Sequence, residues 1–406
     1  MSRLDELIAE LCPDGVEYKC FGDIATIARG ASPRPIKNFI TNDKNGVNWI
    51  KIGDVKTGEK YITETEEKIT LEGAKKSRKV NPGDFILSNS MSFGRPYILK
   101  TSGCIHDGWL AISGFSEYFD ADFLYYLLNT SSLQAEMRKR ASFGGAVQNL
   151  NADIVKALEL PVPPLPVQQE IVRILDSFTE LTAELTAELA ARKKQYEYYR
   201  NSVFDNCDTE QKSIAEIAQT NIGLATSVTK HKREQGVILL HNSDIQQNAI
   251  VLKNIEFISE EFASKNSGKI LHKDDIITVH TGDVGTSAVI DDKYDGAIGF
   301  TTITTRIKDK KQVLPAYLCH YLNSQRCKSD IASMTISDRN NLNQSSFEKL
   351  MIPIPSVEDQ KRIISILDRF NIICNSVSNG LPAEITARQK QYEYYRDKLL
   401  TFKPLS

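Results

Sequence analysis

The chain has 406 residues, 41% of them hydrophobic and 25% charged, with a formal net charge of −2. That length is more than one compact core usually fills, so two or three domains are expected of an ordinary globular protein. No stretch nears the roughly 18 apolar residues of a membrane span, and the opening MSRLDELIAELCPDG has acidic residues inside its apolar run, unlike a secretory signal; the expected location is the cytoplasm.

Near the start, Pro13-Asp14 followed by Glu17-Tyr18-Lys19 carries the letters of a metal-dependent nuclease's PD…ExK. The separation is too short to bring acid and lysine together from different strands, so the stretch reads as a turn before a strand. GVNWIKIGDV (46–55) and GDFILSN (83–89) are β-branched, strand-like runs bounded by Gly, Asn and Asp, and they read as half-buried strands. DADFLYYLLNT (120–130) reads as a helix. Pro161, Pro163, Pro164 and Pro166 then end any earlier helix and open a new one. Its apolar positions step as Ile171, Ile174, Phe178, Leu181, Leu185 and Leu189, and Tyr196, Tyr199 and Val203 continue them. Steps of three and four over this length are a coiled-coil seam. The helix carries LTAE-LTAE-LAAR (181–192) and ends in ARKKQYEYYR (191–200).

From here the plan repeats. KCFGDIA (19–25) matches KSIAEIA (212–218), WIKIGDV (49–55) matches LLHNSDI (239–245), and NPGDFILSNSMSFG (81–94) matches HKDDIITVHTGDVG (272–285). FLYYLLN (123–129) matches YLCHYLN (317–323), and QNLN (148–151) matches NNLN (340–343). LPVPP (160–164) matches IPIPS (352–356), VQQEIVRILDSF (167–178) matches DQKRIISILDRF (359–370), and the decapeptide returns as ARQKQYEYYR (387–396). DDIITVH and GFTTITTRI read as strands of the second copy and LPAYLCHYLNS as its helix. Tandem duplication therefore covers nearly the whole chain. The last third of each copy keeps its sequence, whereas the first two-thirds keep only pattern, as expected of two heads with divergent binding loops on a common scaffold.

The second copy's seam is Ile363, Ile366, Phe370, Ile373, Val377, Leu381, Ile385, Tyr392, Tyr395 and Leu399. Phe178 to Gln195 is 17 residues but Phe370 to Gln391 is 21, a stutter of one turn near Asn379-Gly380-Leu381-Pro382, where a kink or break is expected. Forty helical residues span about 60 Å. The expected fold is mixed α/β, in which two pseudo-two-fold-related α/β domains are separated by two long antiparallel helices in a coiled coil. Its boundaries are a first head at 1–158, a helical spacer at 159–205, a second head at 206–350 and a second spacer at 351–406.

Catalytic motifs are missing. The seven cysteines are scattered, odd in number and never form C-x-x-C, against both a disulfide framework and a zinc site, and no H-E-x-x-H is present. Phe143-Gly144-Gly145 echoes a methyl-donor loop, but Ala146-Val147 does not complete it. No Asn/Asp-Pro-Pro-aromatic tetrapeptide, no phosphate loop and no spaced nucleophile set occurs. Positive charge is clumped at 75–79, 138–140, 230–233 and 308–311.

Two divergent α/β heads, ELCPDGVEY at the opening, LPVPPLPVQQEIVRILD with its counterpart MIPIPSVEDQKRIISILD, and the paired KQYEYYR together resemble the specificity subunit of type I restriction–modification enzymes. The resemblance covers essentially the whole chain. It implies two target recognition domains that read the halves of an asymmetric, interrupted double-stranded DNA sequence, without catalysis. It also implies helices that dock two methyltransferase subunits, with restriction–translocase subunits joining around them. Methyl donor, ATP and Mg sites then belong to the partners, and this chain carries no cofactor or metal.

Under that resemblance the expected DNA-binding residues of the first head are Arg34, Lys37, Asn89, Ser90, Ser92, Arg95, Lys139, Arg140 and Gln148. In the second they are Thr226, Lys230, Lys232, Arg233, His241, His280, Thr281, Asp283, Ser287, Arg339 and Asn340. Arg, Asn, Gln, Ser and Thr are the usual readers of base edges; Lys139, Arg140 and Lys232 are expected on phosphates. Tyr196, Tyr199, Tyr392 and Tyr395 fit the seam and are expected to pack. Tyr198, Arg200, Tyr394 and Arg396 fall off it and are the expected partner interface. One LTAE unit adds about 6 Å and roughly 40°, close to the turn of one base pair, so the number of units is expected to tune the unread gap. Alternative readings are a coiled-coil scaffold for proteins, whose heads would lack salt-dependent DNA affinity, and a self-sufficient methyltransferase or nuclease.

Overall fold

A computed structural model describes residues 2–55, 58–89, 93–144, 147–205, 209–334, 341–376 and 379–405, with the backbone alone at 142–144, 147–148 and 205. The chain divides into two compact units, Met1–Ala183 with Thr386–Ser406, and Glu184–Ile385. Each unit therefore holds one head, the start of its own copy's helix and the end of the other copy's helix.

In the first unit, one five-stranded sheet runs in the order Thr26–Arg29, Trp109–Ser113, Phe85–Ser88, Pro96–Leu99, Tyr61–Ile62. The strand in GDFILSN was expected to be half-buried, yet Phe85–Ser88 is buried throughout, as is its neighbour Pro96–Leu99. Both faces are covered, and alternation along the strand shows how. Phe85, Leu87, Ile98, Leu110 and Ile112 point into the core beneath the helices, while Ile86, Tyr97, Leu99, Trp109 and Ala111 point into a second core on the opposite face. A strand covered on two sides carries apolar residues in succession, as Phe85, Ile86 and Leu87 do, and loses the alternation that would mark it in the sequence.

A second sheet of the same unit joins Val47–Ile50 in parallel to Gly103–Ile105. The second unit repeats both sheets with four strands in each. Ala218–Ile222, Thr302–Ile307, Ile276–Val279 and Ser287–Val289 form one, and Val237–His241 pairs in parallel with Ile298–Phe300 in the other. The ends of each head are tied by a two-stranded antiparallel clasp, Glu17–Cys20 with Glu159–Val162 in the first and Gln211–Ser213 with Met351–Pro353 in the second. Pro13 and Asp14 do form the turn before that first strand.

The helix Leu165–Asp205 is continuous for 41 residues. Its counterpart is broken as expected: Val357–Asn375 ends at Ser376 and a new helix, Leu381–Leu399, follows Gly380. In the second unit Phe370 stacks on Tyr196 and Tyr199, while the field of Arg192 and Lys193 acts on Cys374, one turn further along. The two stretches are therefore antiparallel there. The seam needs one correction. Ile366 and Ile373 are exposed, and the buried positions are Leu367 and Cys374, because this part of the helix turns toward its own head. Val377 lies outside the described residues.

A buried glutamine in each copy fixes the proline-rich lead-in to the head. Gln168 Nε2 donates to the carbonyls of Pro163 and Tyr118, both at 2.8 Å, and its Oε1 accepts from Asp120 N at 2.8 Å. Gln360 does the same with Pro355 at 3.0 Å, Gln312 at 2.8 Å and Leu314 N at 2.9 Å. In both copies the anchor reaches the start of a head helix, Ala121–Leu128 or Pro315–Leu322.

Candidate nucleic-acid interface

Backbone geometry gathers the same loops in both heads, at the ends of the paired parallel strands. In the first head Asp107 is the centre of the group. Its Oδ1 accepts from Ser32 Oγ at 2.9 Å and its Oδ2 from Arg34 Nη2 at 3.2 Å, while its carbonyl accepts from Asn89 Nδ2 at 2.9 Å and Arg29 Nε at 3.1 Å. Burial alone would raise the Asp107 carboxyl, but the Ser32 hydroxyl, His106 and Arg34 outweigh it and hold it below the ordinary carboxylate range. Arg34 and Lys37 border a cavity of about 650 Å³ walled by Pro33, Pro35, Ile36 and Trp49, with Lys51, Glu67 and His106 among its polar lining. Arg34, Lys37 and Asn89 therefore come together.

Arg95 is exposed opposite Ser88, with its N–H on Ser88 Oγ at 3.2 Å, and its charge acts on Tyr125 instead. Lys139 and Arg140 close the helix Ser131–Arg140, where its dipole favours cations. Lys139 is exposed, whereas Arg140 binds Glu136 at 2.6 Å and the Ala157 carbonyl at 2.8 Å. Ser90, Ser92, Arg339 and Asn340 lie outside the described residues, as does the side chain of Gln148, whose backbone sits in the strand Val147–Asn149.

The second head uses the equivalent corner. Lys230 lies in the short turn Thr229–His231 and Lys232–Arg233 form an edge strand. Arg233 Nη1 donates to the carbonyls of Lys230 at 3.2 Å and Lys232 at 2.8 Å. Thr226 is exposed in the preceding loop. Glu256 joins Lys232 Nζ at 2.7 Å and His241 Nε2 at 3.0 Å, and both, Lys232 first, lower its carboxyl. Asn242 Nδ2 ties Thr281 O to Thr301 Oγ1, each at 2.9 Å. Partial burial lowers the His280 imidazole, favouring its neutral form. Asp283 accepts from Thr286 Oγ1 at 2.7 Å. Asn89 and His280 are equivalent: the carbonyl of the first accepts from Leu150 N at 2.8 Å and that of the second from Leu342 N at 3.0 Å.

Ser287 does not belong at this surface. It is fully buried, with its hydroxyl against Thr278 Oγ1 at 2.8 Å and the Gly285 carbonyl at 3.0 Å; it opens the buried strand Ser287–Val289, which its polarity disguised as a loop.

The decapeptides divide by position. Tyr196 is buried, takes a bond from Asn248 Nδ2 at 3.2 Å and lies 5.1 Å under the Arg200 guanidinium. Tyr392 packs on Tyr126 at 6.3 Å and lies 5.7 Å under Arg396. Tyr199 stacks on Phe370 and Tyr395 on Phe178. Arg200 and Arg396 were expected to face a partner. The structure draws both into their own unit: Arg200 is 6% exposed and donates to Gln247 at 2.8 Å, while Arg396 pairs with Asp397 at 2.9 Å. A stacked, hydrogen-bonded guanidinium is retained by its own fold, and the seam's periodicity does not reveal that. Tyr198 and Tyr394 remain exposed, at 69% and 61%.

Sequence reasoning passed over Asp107, Lys51, Glu67 and Glu256; WIKIGDV aligned with LLHNSDI already sets Lys51 opposite His241. Among the described residues no group of His, Cys, Asp and Glu is arranged to hold a metal, and no helix is long and apolar enough to cross a membrane.

Two heads of one topology, each with its varied side chains gathered on the same loops and each clasped by helices of both copies, define a duplicated, two-headed recognition protein. The chain belongs to the type I restriction modification DNA specificity family, whose domain matches residues 13–192 and again 206–387. The EcoR124I/EcoR124II specificity subunit of Escherichia coli is 35% identical over 297 residues, covering 69% of this chain and 70% of that one. A specificity subunit described as putative from Haemophilus influenzae is 33% identical over 269 residues, 61% of this chain and 65% of its own length. The fold matches a chain solved in a study of complex assembly and conformational transition of the type I R-M system, with TM-score 0.68 at 16% identity over 96% of this chain and 98% of the other. The HsdS subunit from Thermoanaerobacter tengcongensis matches with TM-score 0.53 at 14% identity, over 97% and 98%.

Proposed function

We propose that the chain is the non-catalytic DNA-recognition and assembly subunit of a cytoplasmic type I restriction–modification complex. Each head reads one half of an interrupted, asymmetric double-stranded target, with Arg34, Lys37 and Asn89 at the first reading corner and Lys230, Arg233, His241, His280 and Thr281 at the second. Lys139 is suited to phosphate. Two methyltransferase subunits dock on the helices through Tyr198 and Tyr394, and restriction–translocase subunits join that core. Methyl donor, ATP and Mg are supplied on those partners.

The observation that carries this reading is the pair of equivalent loop corners with different side chains, in a chain whose two halves both match the DNA specificity family. Purification of the tagged chain from its native host, with mass spectrometry of what accompanies it, tests the assembly. A methyltransferase at close to two copies per chain is the expected result. A chain that purifies alone and transfers methyl groups to DNA without a partner overturns it.

A further inference from the structure

One position is built alike in the two heads yet carries different chemistry. Lys51 directly follows the strand Val47–Ile50, and His241 ends the equivalent strand Val237–His241. The backbone N–H of each donates to an aspartate three residues on, Lys51 to Asp54 Oδ2 at 2.6 Å and His241 to Asp244 Oδ2 at 2.9 Å. A glutamate from the neighbouring antiparallel strand holds each side chain: Glu67 Oε1 is 2.8 Å from Lys51 Nζ, and Glu256 Oε2 is 3.0 Å from His241 Nε2. All four side chains are part-exposed, and Lys51 and Glu67 line the cavity beside Arg34.

We propose that Lys51 and His241 are the equivalent base-reading positions of the two half-sites, with Glu67 and Glu256 as the positioning residues that set their direction. This rests on the DNA-reading role proposed above and assigns its chemistry at one position per head.

The glutamates decide between base and phosphate. A carboxylate 2.8 Å from a lysine ammonium cancels most of its attraction for phosphate but leaves its other N–H groups as donors. Those donors suit a base edge with two acceptors, which in the major groove is guanine O6 and N7. The second head differs. Glu256, whose carboxyl is lowered first by Lys232, accepts a hydrogen bond from His241 Nε2–H, and in that tautomer Nδ1 is the acceptor that faces DNA. An acceptor there suits the exocyclic amino group of adenine or cytosine. A scaffold held constant while the reading atom changes from donor to acceptor is how one duplicated fold comes to recognise two unlike half-sites.

The test uses the complete complex with its methyltransferase, mapping modified bases across a host genome for the unaltered chain and for Lys51→Ala, Lys51→Arg and His241→Ala. Lys51→Ala is expected to lose discrimination by about tenfold at one base of one half-site, with the other half-site, the gap and the salt dependence of DNA binding unchanged; Lys51→Arg restores it. His241→Ala relaxes one base of the opposite half-site. Weakening that is uniform across sequences, with a shallower salt slope, would mean a phosphate contact and overturns the assignment. An unchanged motif overturns it too. The unaltered complex separates the two levels: if it modifies no interrupted motif, the DNA-reading role itself falls, whereas a motif indifferent to Lys51→Ala removes only the assignment of Lys51.

Discussion

Gln168 and Gln360 are small parts with a large share of the junction between head and helix. Each makes three bonds from a fully buried amide, and all three partners are backbone groups. Removing such a side chain leaves buried backbone groups unpaired, at about 1–3 kcal/mol each. Gln168→Ala is accordingly expected to lower stability by about 3 kcal/mol in urea unfolding; a loss below about 1 kcal/mol would mean that water replaces the amide without penalty. The tyrosines give a second reading at this scale. Burial pushes Tyr196 and Tyr392 up to about 12, against the opposing pull of Arg200 and Arg396, and burial with the Asp122 hydrogen bond does the same to Tyr61. A phenol raised in the folded state contributes stability that is intact below its unfolded value near 10 and is lost as pH climbs through 12. Absorbance titration should therefore show a late-ionising set that merges with the rest only when the protein unfolds. Titration of all tyrosines together near pH 10, with the fold intact, would contradict the packing described. That Tyr196 and Tyr392 pack was legible from the seam. That Arg200 and Arg396 lie on top of them was not, since a cation over a ring leaves no periodic trace.

Among elements, the helices were the most legible and the sheets the least. Proline clusters, steps of three and four, and the four-residue difference between Phe178–Gln195 and Phe370–Gln391 are all carried by the sequence itself. The break at Gly380 follows from them. The seam of the second helix was read one position off, as Ile366 and Ile373 rather than Leu367 and Cys374, because a helix with apolar residues on adjacent rows offers two stripes and the head selects between them. Short strands buried on two faces carry no alternation, so their order had to come from the structure. Gly380 shows why the break is sharp. A Cβ there would lie 2.4 Å from the Ile372 carbonyl oxygen and 2.8 Å from that of Ile373. Those are backbone atoms that cannot swing away as a side chain can. Gly380→Ala should thus cost about 1–3 kcal/mol, read as a lower midpoint in thermal unfolding by circular dichroism. An unchanged midpoint would show that the backbone at Gly380 yields freely.

For the whole molecule, the repeated decapeptide finds its reason in reciprocity. ARKKQYEYYR (191–200) closes the second unit against Phe370 and Asn248, and ARQKQYEYYR (387–396) closes the first against Phe178 and Tyr126. Each copy's signature is thus read by the other copy's head, and both are held to the same sequence while the reading loops diverge. The clasp continues past the last helix: Tyr18 Oη donates to Phe402 O at 2.9 Å, Val16 N to Lys403 O at 2.9 Å, and Leu400 is buried in the first core. This arrangement makes a prediction that linear domain order does not. Ending the chain at Ile385 removes residues of the second copy but strips the first unit of Tyr392, Tyr395 and Leu400. Hydrogen exchange on the shortened chain should therefore show lost protection at 121–128 and 165–178, with the strands 276–279 and 302–307 keeping theirs. Greater loss in the second unit would mean that each head is closed by its own copy's helix, and the reason given for the kept decapeptide would fall with it.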